Sequence, residues 1–331
     1  MHGTCIAPSQ RFQKPHITDL TPPTRLKIAK FVIMSLQTLP RLPLALIVNH
    51  LDCPAALSAL LQCSRDLLDL RNDAHVQALW LAIYRPRTAF NQAARARKEA
   101  VFLRLLALQQ QDPAMGLEGS HALQLRLAAQ MGFSSAVAEL LKVPAAVTEL
   151  SITAVECWRT PLHLAAMGGH TQAMHLLLGA PDAQHSISAG DKQGKTPLHW
   201  AVMKGHTQAV QLLLGAPGAH CSLSSRDRQG RMPLHLAVMG GHTQAVQLLL
   251  GALGAQHSVS AGDIEGRTPL HLAVMGGHTQ AVQLLLEVQG TKQILSAKDS
   301  RGKTPFALAR EYGQQEIVKL LQMLQVSRAQ E

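Results

Sequence analysis

One six-residue phrase returns at a fixed interval and confines the chain to a stacked architecture. Thr160-Pro-Leu-His-Leu-Ala165 recurs whole at Thr268–Ala273. It returns as Thr-Pro-Leu-His-Trp-Ala from Thr196, Met-Pro-Leu-His-Leu-Ala from Met232 and Thr-Pro-Phe-Ala-Leu-Ala from Thr304. The starts are 160, 196, 232, 268 and 304, a constant period of 36. Such a period builds a solenoid, in which each unit buries its apolar face against its neighbours.

Each unit carries its own structural instructions. The Thr is placed to cap a helix and the following Pro suits the first helical position. Leu and Ala then give an inner helix with one thin side. Gly169, Gly205, Gly241 and Gly277 end it. His-Thr-Gln-Ala-Val-Gln-Leu-Leu-Leu has the apolar spacing of an outer helix. A tip follows, as in Asp191-Lys-Gln-Gly194 and Asp227-Arg-Gln-Gly230, where Asp and Gly specify a tight turn.

The phrase and its spacing resemble the ankyrin repeat. The ordinary ankyrin period is about 33 residues. The extra residues here fall after the outer helix, and the expectation is a longer surface loop there with the helices unchanged. A degenerate first repeat is expected at Leu123–Leu141, and Thr304–Leu324 reads as a C-terminal cap, giving about six units over 121–331. In ankyrin proteins the tips and inner-helix ends line a concave binding face. The resemblance therefore implies a target-binding set of Lys192, Lys195, Met203, Lys204, Arg228, Arg231, Met239, Arg267, Met275 and Arg301.

The chain before the repeats reads as three stretches. Residues 1–36, with Pro8, Pro15, Pro22 and Pro23, are expected as a flexible leader. Residues 37–84 are dense in apolar residues at helical spacing. Residues 85–120 read as a helical linker, with one helix over Asn91–Gln111 whose Arg95, Arg97, Lys98 and Arg104 form a solvated face.

The block at 37–84 resembles an F-box. It has Leu39-Pro40, then Ile47 and Leu51, a Leu57/Leu60 helix running into Cys63-Ser64-Arg65, and Leu79-Trp80. It departs from that pattern at Leu42, where an acidic residue is usual, and in the turn Asp52–Ala56. The resemblance implies that Leu39, Pro40, Ile47, Leu51, Leu57 and Leu60 contact the Skp-type adaptor of a cullin–RING ubiquitin ligase. The alternative is a plain helical cap on a scaffold without a ligase link.

The expected fold is thus all-α: an ankyrin-repeat solenoid preceded by a small F-box-like helical domain. The expected function is that of a protein-binding adaptor, the repeats holding an unidentified protein target. An F-box joined to near-identical ankyrin units also resembles effectors that intracellular bacteria deliver into eukaryotic hosts. That resemblance implies the host cell cytoplasm as the working site, and a cytoplasmic location otherwise.

Composition bounds the rival classes. The net charge of +10 invites acidic partners, but aromatics are only 3% of residues and offer few platforms for stacking bases. Specific nucleic-acid binding is not expected. Cys5, Cys53, Cys63, Cys157 and Cys221 are odd in number and scattered, which reads as a reduced compartment. No signal peptide or membrane span is expected, since Pro40, Arg41 and Pro43 interrupt the apolar stretch Phe31–Leu51.

Catalytic and cofactor motifs are not expected either. Gly190–Thr196 imitates a phosphate loop, but three residues separate its glycines where four are needed. The seventeen histidines recur mostly one per repeat, which suits hydrogen bonding between repeats better than a metal set. No cofactor, metal or enzymatic activity is expected.

Overall fold

The computed structural model describes residues 85–111, 117, 120–143, 158–180, 183–252, 255–288 and 291–329, with isolated positions between 74 and 82. The chain divides into two compact units, Met1–Arg85 and Pro86–Glu331. The helices from Ala89 onward belong to the second. Among the described residues every regular element is helical.

Helices α1 (Ala89–Arg95) and α2 (Glu99–Gln111) open this unit. The sequence suggested one helix here; Arg97 adopts φ +55 and breaks it in two. The pair packs on α3 (His121–Met131) and α4 (Ser134–Leu141), the first and degenerate repeat. Phe102 meets Phe90 and Phe133 edge-on, at 5.0 and 5.7 Å between ring centres. Glu99 accepts from Ser135 N at 2.8 Å, so a carboxylate from α2 caps α4. The stretch expected as a linker therefore supplies helices that pack on the repeats.

The full repeats follow. Inner helices are α5 (Pro161–Gly168), α8 (Pro197–Met203), α11 (Pro233–Met239), α14 (Pro269–Met275) and α17 (Pro305–Glu311). Outer helices are α6 (Thr171–Leu178), α9 (Thr207–Gly215), α12 (Thr243–Gly251), α15 (Thr279–Glu287) and α18 (Gln315–Ala329). Each inner helix packs on the next, and so does each outer helix. The inner helices approach through alanines, Ala165, Ala201, Ala237 and Ala273, all fully buried. Helices α6, α9, α12 and α15 turn inward an Ala, the next residue and a Leu, as in Ala209, Val210 and Leu213, and α18 buries Ile317 and Leu321.

The extra residues of the long repeat do not form a longer loop. They complete a third helix in four units: α7 (Ala183–Ser188), α10 (Ala219–Ser224), α13 (Ala255–Ser260) and α16 (Thr291–Ser296). These stack on one another as a third layer. Ala183, Ser186 and Ile187 are buried, as are Ala219, Ser222 and Leu223. That spacing is the apolar stripe of a helix. Ser222 donates to the Ile187 carbonyl of the preceding unit at 2.9 Å and ties the layer together.

Candidate protein-binding face

The histidine of the phrase locks neighbouring units. The backbone N–H of Thr160 donates to His163 Nδ1 at 3.1 Å, and an N–H can only donate. Nδ1 therefore carries the lone pair and Nε2 the proton. Nε2 donates to the Lys195 carbonyl of the next unit at 2.9 Å. His199 reaches the Arg231 carbonyl and His271 the Lys303 carbonyl in the same way, each at 3.1 Å. Burial pushes His163, His199 and His235 down to about 4 and lowers His271 too, so these rings are neutral.

The second histidine of each unit points backward. His206, His242 and His278 lie 3.2–3.4 Å from the carbonyls of Met167, Met203 and Met239, at the ends of the preceding inner helices. Both histidine series are thus used in joining repeats, and among the described residues no group of His, Cys, Asp or Glu is placed to hold a metal ion.

The tips are built on their aspartates. Asp191 Oδ1 accepts from the backbone N–H of Gln193 and Lys195, at 2.8 and 3.0 Å. Asp227, Asp263 and Asp299 repeat this pair of bonds. Gly194, Gly230, Gly266 and Gly302 take φ of +70 to +73, which a side chain disfavours. Successive tips join by single backbone bonds: Arg228 N to Gln193 O, Ile264 N to Gln229 O, and Ser300 N to Glu265 O.

One basic residue stands immediately before each phrase, at 159, 195, 231, 267 and 303. Four of these are matched by a carboxylate. Arg231 and Arg267 each place Nε and an Nη on their own tip aspartate, at 2.8–3.0 Å. Arg159 meets Asp191 at 3.4 Å, and Lys303 reaches Glu311 at 2.7 Å. Lys195 differs. The second oxygen of Asp191 is occupied by Trp200 Nε1 at 3.0 Å and by Arg159. The Lys195 ammonium lies instead over the Trp200 ring, 5.0 Å from its centre, with the Arg159 guanidinium at 4.5 Å. Lys195 Nζ donates weakly to Met203 Sδ at 3.9 Å. Burial, followed by the charge of Arg231, lowers the Lys195 pKa.

The expected target-binding residues therefore fall into groups. Lys192, Lys204, Arg228 and Arg301 are exposed, as is Met239. Met203 and Met275 are half-buried beside them, at the ends of inner helices. Arg231 and Arg267 are held in the tips, and Lys195 is buried; these three are not freely presented cations.

The repeat geometry agrees with a family match. The model described as "Ankyrin repeats (3 copies)" matches residues 125–225, 184–261 and 234–327. The chain is an ankyrin-repeat protein. Comparison with curated proteins gives no match. Ankyrin repeats suggest a protein-binding role. Among the described residues no helix is long and apolar enough to cross a membrane.

Sequence reading missed Trp200, Arg159 and Asp191 as one cluster. A signal was present: Trp200 is the one aromatic where the other phrases have Leu164, Leu236, Leu272 and Leu308. It also missed Trp158, about half exposed and held at φ +55, a conformation unusual for a bulky residue. Leu39, Pro40, Ile47, Leu51, Leu57 and Leu60 lie outside the described residues.

Proposed function

We propose that this ankyrin-repeat protein is a non-enzymatic adaptor that holds a protein target on the face formed by its tips and inner-helix ends. The observation that carries this reading is a surface of exposed side chains on a rigidly tied scaffold: Lys192, Lys204, Arg228 and Arg301 beside Met239 and the half-buried Met203 and Met275. Methionine adapts to irregular partners and exposed cations steer acidic ones. The tie bonds hold the backbone beneath, so binding does not have to order it.

The second half of the proposal concerns residues 37–84. Leu39-Pro40, Ile47, Leu51, Leu57 and Leu60 resemble the adaptor-contacting residues of an F-box and support docking on a Skp-type subunit of a cullin–RING ligase. The protein would then work by proximity, raising the local concentration of target lysines near the ligase. Its setting would be the cytoplasm, that of a host cell if the resemblance to bacterial effectors extends so far. Immobilised full-length protein is expected to retain purified Skp-type adaptor, and Leu39→Ala with Pro40→Ala to abolish retention. If adaptor flows through both columns alike, the ligase link is wrong and a scaffold remains.

A further inference from the structure

The last repeat shows what the second full repeat leaves open. Lys303 follows its tip and reaches eight residues forward to Glu311, whose carboxylate neutralises it. Lys195 stands one hundred and eight residues earlier, three periods of 36, and also reaches eight forward. The residue there is Met203. A thioether is a weak acceptor and carries no charge. Lys195 is not rescued by its own tip, because Trp200 and Arg159 occupy the outer oxygen of Asp191. It is thus the one member of the five-residue row with no ion pair within 4 Å among the described residues, although Asp227 and Asp191 act on it from farther away.

The surroundings add charge of the same sign. Lys192 on the same tip, Arg228 on the adjoining tip and Lys204 next to Met203 are all exposed. The bond from Arg228 N to Gln193 O, 2.8 Å, sets the two tips side by side. Lys195 spans from tip to helix end, so these cations gather on the tip and helix end that it joins. The Trp200 ring lies beneath the Lys195 ammonium, and Met203 is the flexible group beside it.

We propose that Lys195, uncovered as the flexible Met203 side chain swings aside, pairs with an acidic side chain of the target, an aspartate or glutamate in a segment crossing the inner face, with Lys192, Lys204 and Arg228 drawing its acidic neighbours. The incoming carboxylate takes the place at Lys195 that Glu311 takes at Lys303. The desolvated ammonium over Trp200 makes that pairing stronger than one at an open surface. The inference rests on the inner face being the target surface, and it adds where on that face the target is anchored and by what chemistry.

The test uses full-length protein and a fluorescently labelled glutamate-rich peptide, with its glutamine counterpart as control. The glutamate peptide binds and the glutamine peptide does not. Met203→Glu supplies the carboxylate from within, as Glu311 does, and weakens peptide binding by about tenfold or more. Met203→Gln has the same size without the charge and stays within about twofold of wild type. Lys195→Met also weakens binding, and circular-dichroism melts establish that each variant is folded. The proposal is overturned if both peptides bind alike, if the two Met203 variants weaken binding equally, or if Met203→Glu changes nothing. A protein partner that crosslinks to Met239 but ignores Met203→Glu also overturns it, while leaving the inner-face reading in place.

Discussion

His199 joins two repeats only while it is neutral. Its Nδ1 accepts from Thr196 N and its Nε2 donates to the Arg231 carbonyl, so a second proton breaks the first bond. Burial holds its folded pKa near 4, whereas in the unfolded chain it returns to about 6.5. Above about pH 6.5 both states are neutral and the ring adds no pH dependence. As pH falls from there, the unfolded state takes up a proton that the folded state refuses, and stability declines until about pH 4. His163 and His235 behave alike, and each site costs on the order of 3 kcal/mol across that window. Urea midpoints should therefore drop steeply between pH 7 and pH 4.5. His199→Gln should lower stability by about 2 kcal/mol at pH 7 and flatten the slope, since one titrating ring is gone. An unchanged slope in that variant would contradict the neutral-lock account. At this scale the sequence was partly legible: the regular histidines read as ties between repeats, and Trp200 was visible as a substitution. Its consequence was not legible, because the redirection of Asp191 from Lys195 to Trp200 and Arg159 depends on geometry across two repeats.

The third helix is the element that distinguishes these units from shorter repeats. Ala183, Ser186 and Ile187, and their counterparts Ala219, Ser222 and Leu223, stand at i, i+3 and i+4. A reading of the extra residues as loop overlooked that stripe, because six residues are too few for an isolated helix to hold. Tertiary stacking supplies what local propensity lacks. Leu223→Ala should cost about 2–3 kcal/mol in urea unfolding. Ser222→Ala should cost about 1 kcal/mol, the Ile187 carbonyl losing its donor. Loop-like tolerance at both positions would mean that the layer contributes nothing to the stack. The inner and outer helices, by contrast, were legible from Thr-Pro at their starts, Gly at their ends and apolar spacing between. The first repeat lacks Thr-Pro, yet Ser120 accepts from Leu123 N at 3.3 Å and starts its helix by the same means.

Across the whole molecule, constancy and variation divide the labour. The phrase, the tip aspartates and both histidine series repeat with few changes and hold the stack. The positions that differ between units include the exposed tip residues Lys192, Arg228, Ile264 and Arg301, and the inner-helix ends Met203-Lys204, Met239-Gly240 and Glu311-Tyr312, and the proposed function rests on them. The periodic fold was therefore plain in the sequence, while the binding surface was not, because similar cations have different fates. Arg231 and Arg267 are absorbed by their own tips, Lys303 by Glu311, and Lys195 by none. The central claim is that the tips and inner-helix ends form the working surface. Photo-crosslinking side chains placed singly at Arg228, at Met239 and at the exposed outer-helix residue Gln247, in full-length protein exposed to a eukaryotic cell extract, test it most directly. The same partner band should form from Arg228 and Met239, fade as salt is raised, and be absent from Gln247. Crosslinking from Gln247 alone, or equally from all three positions, would contradict the account.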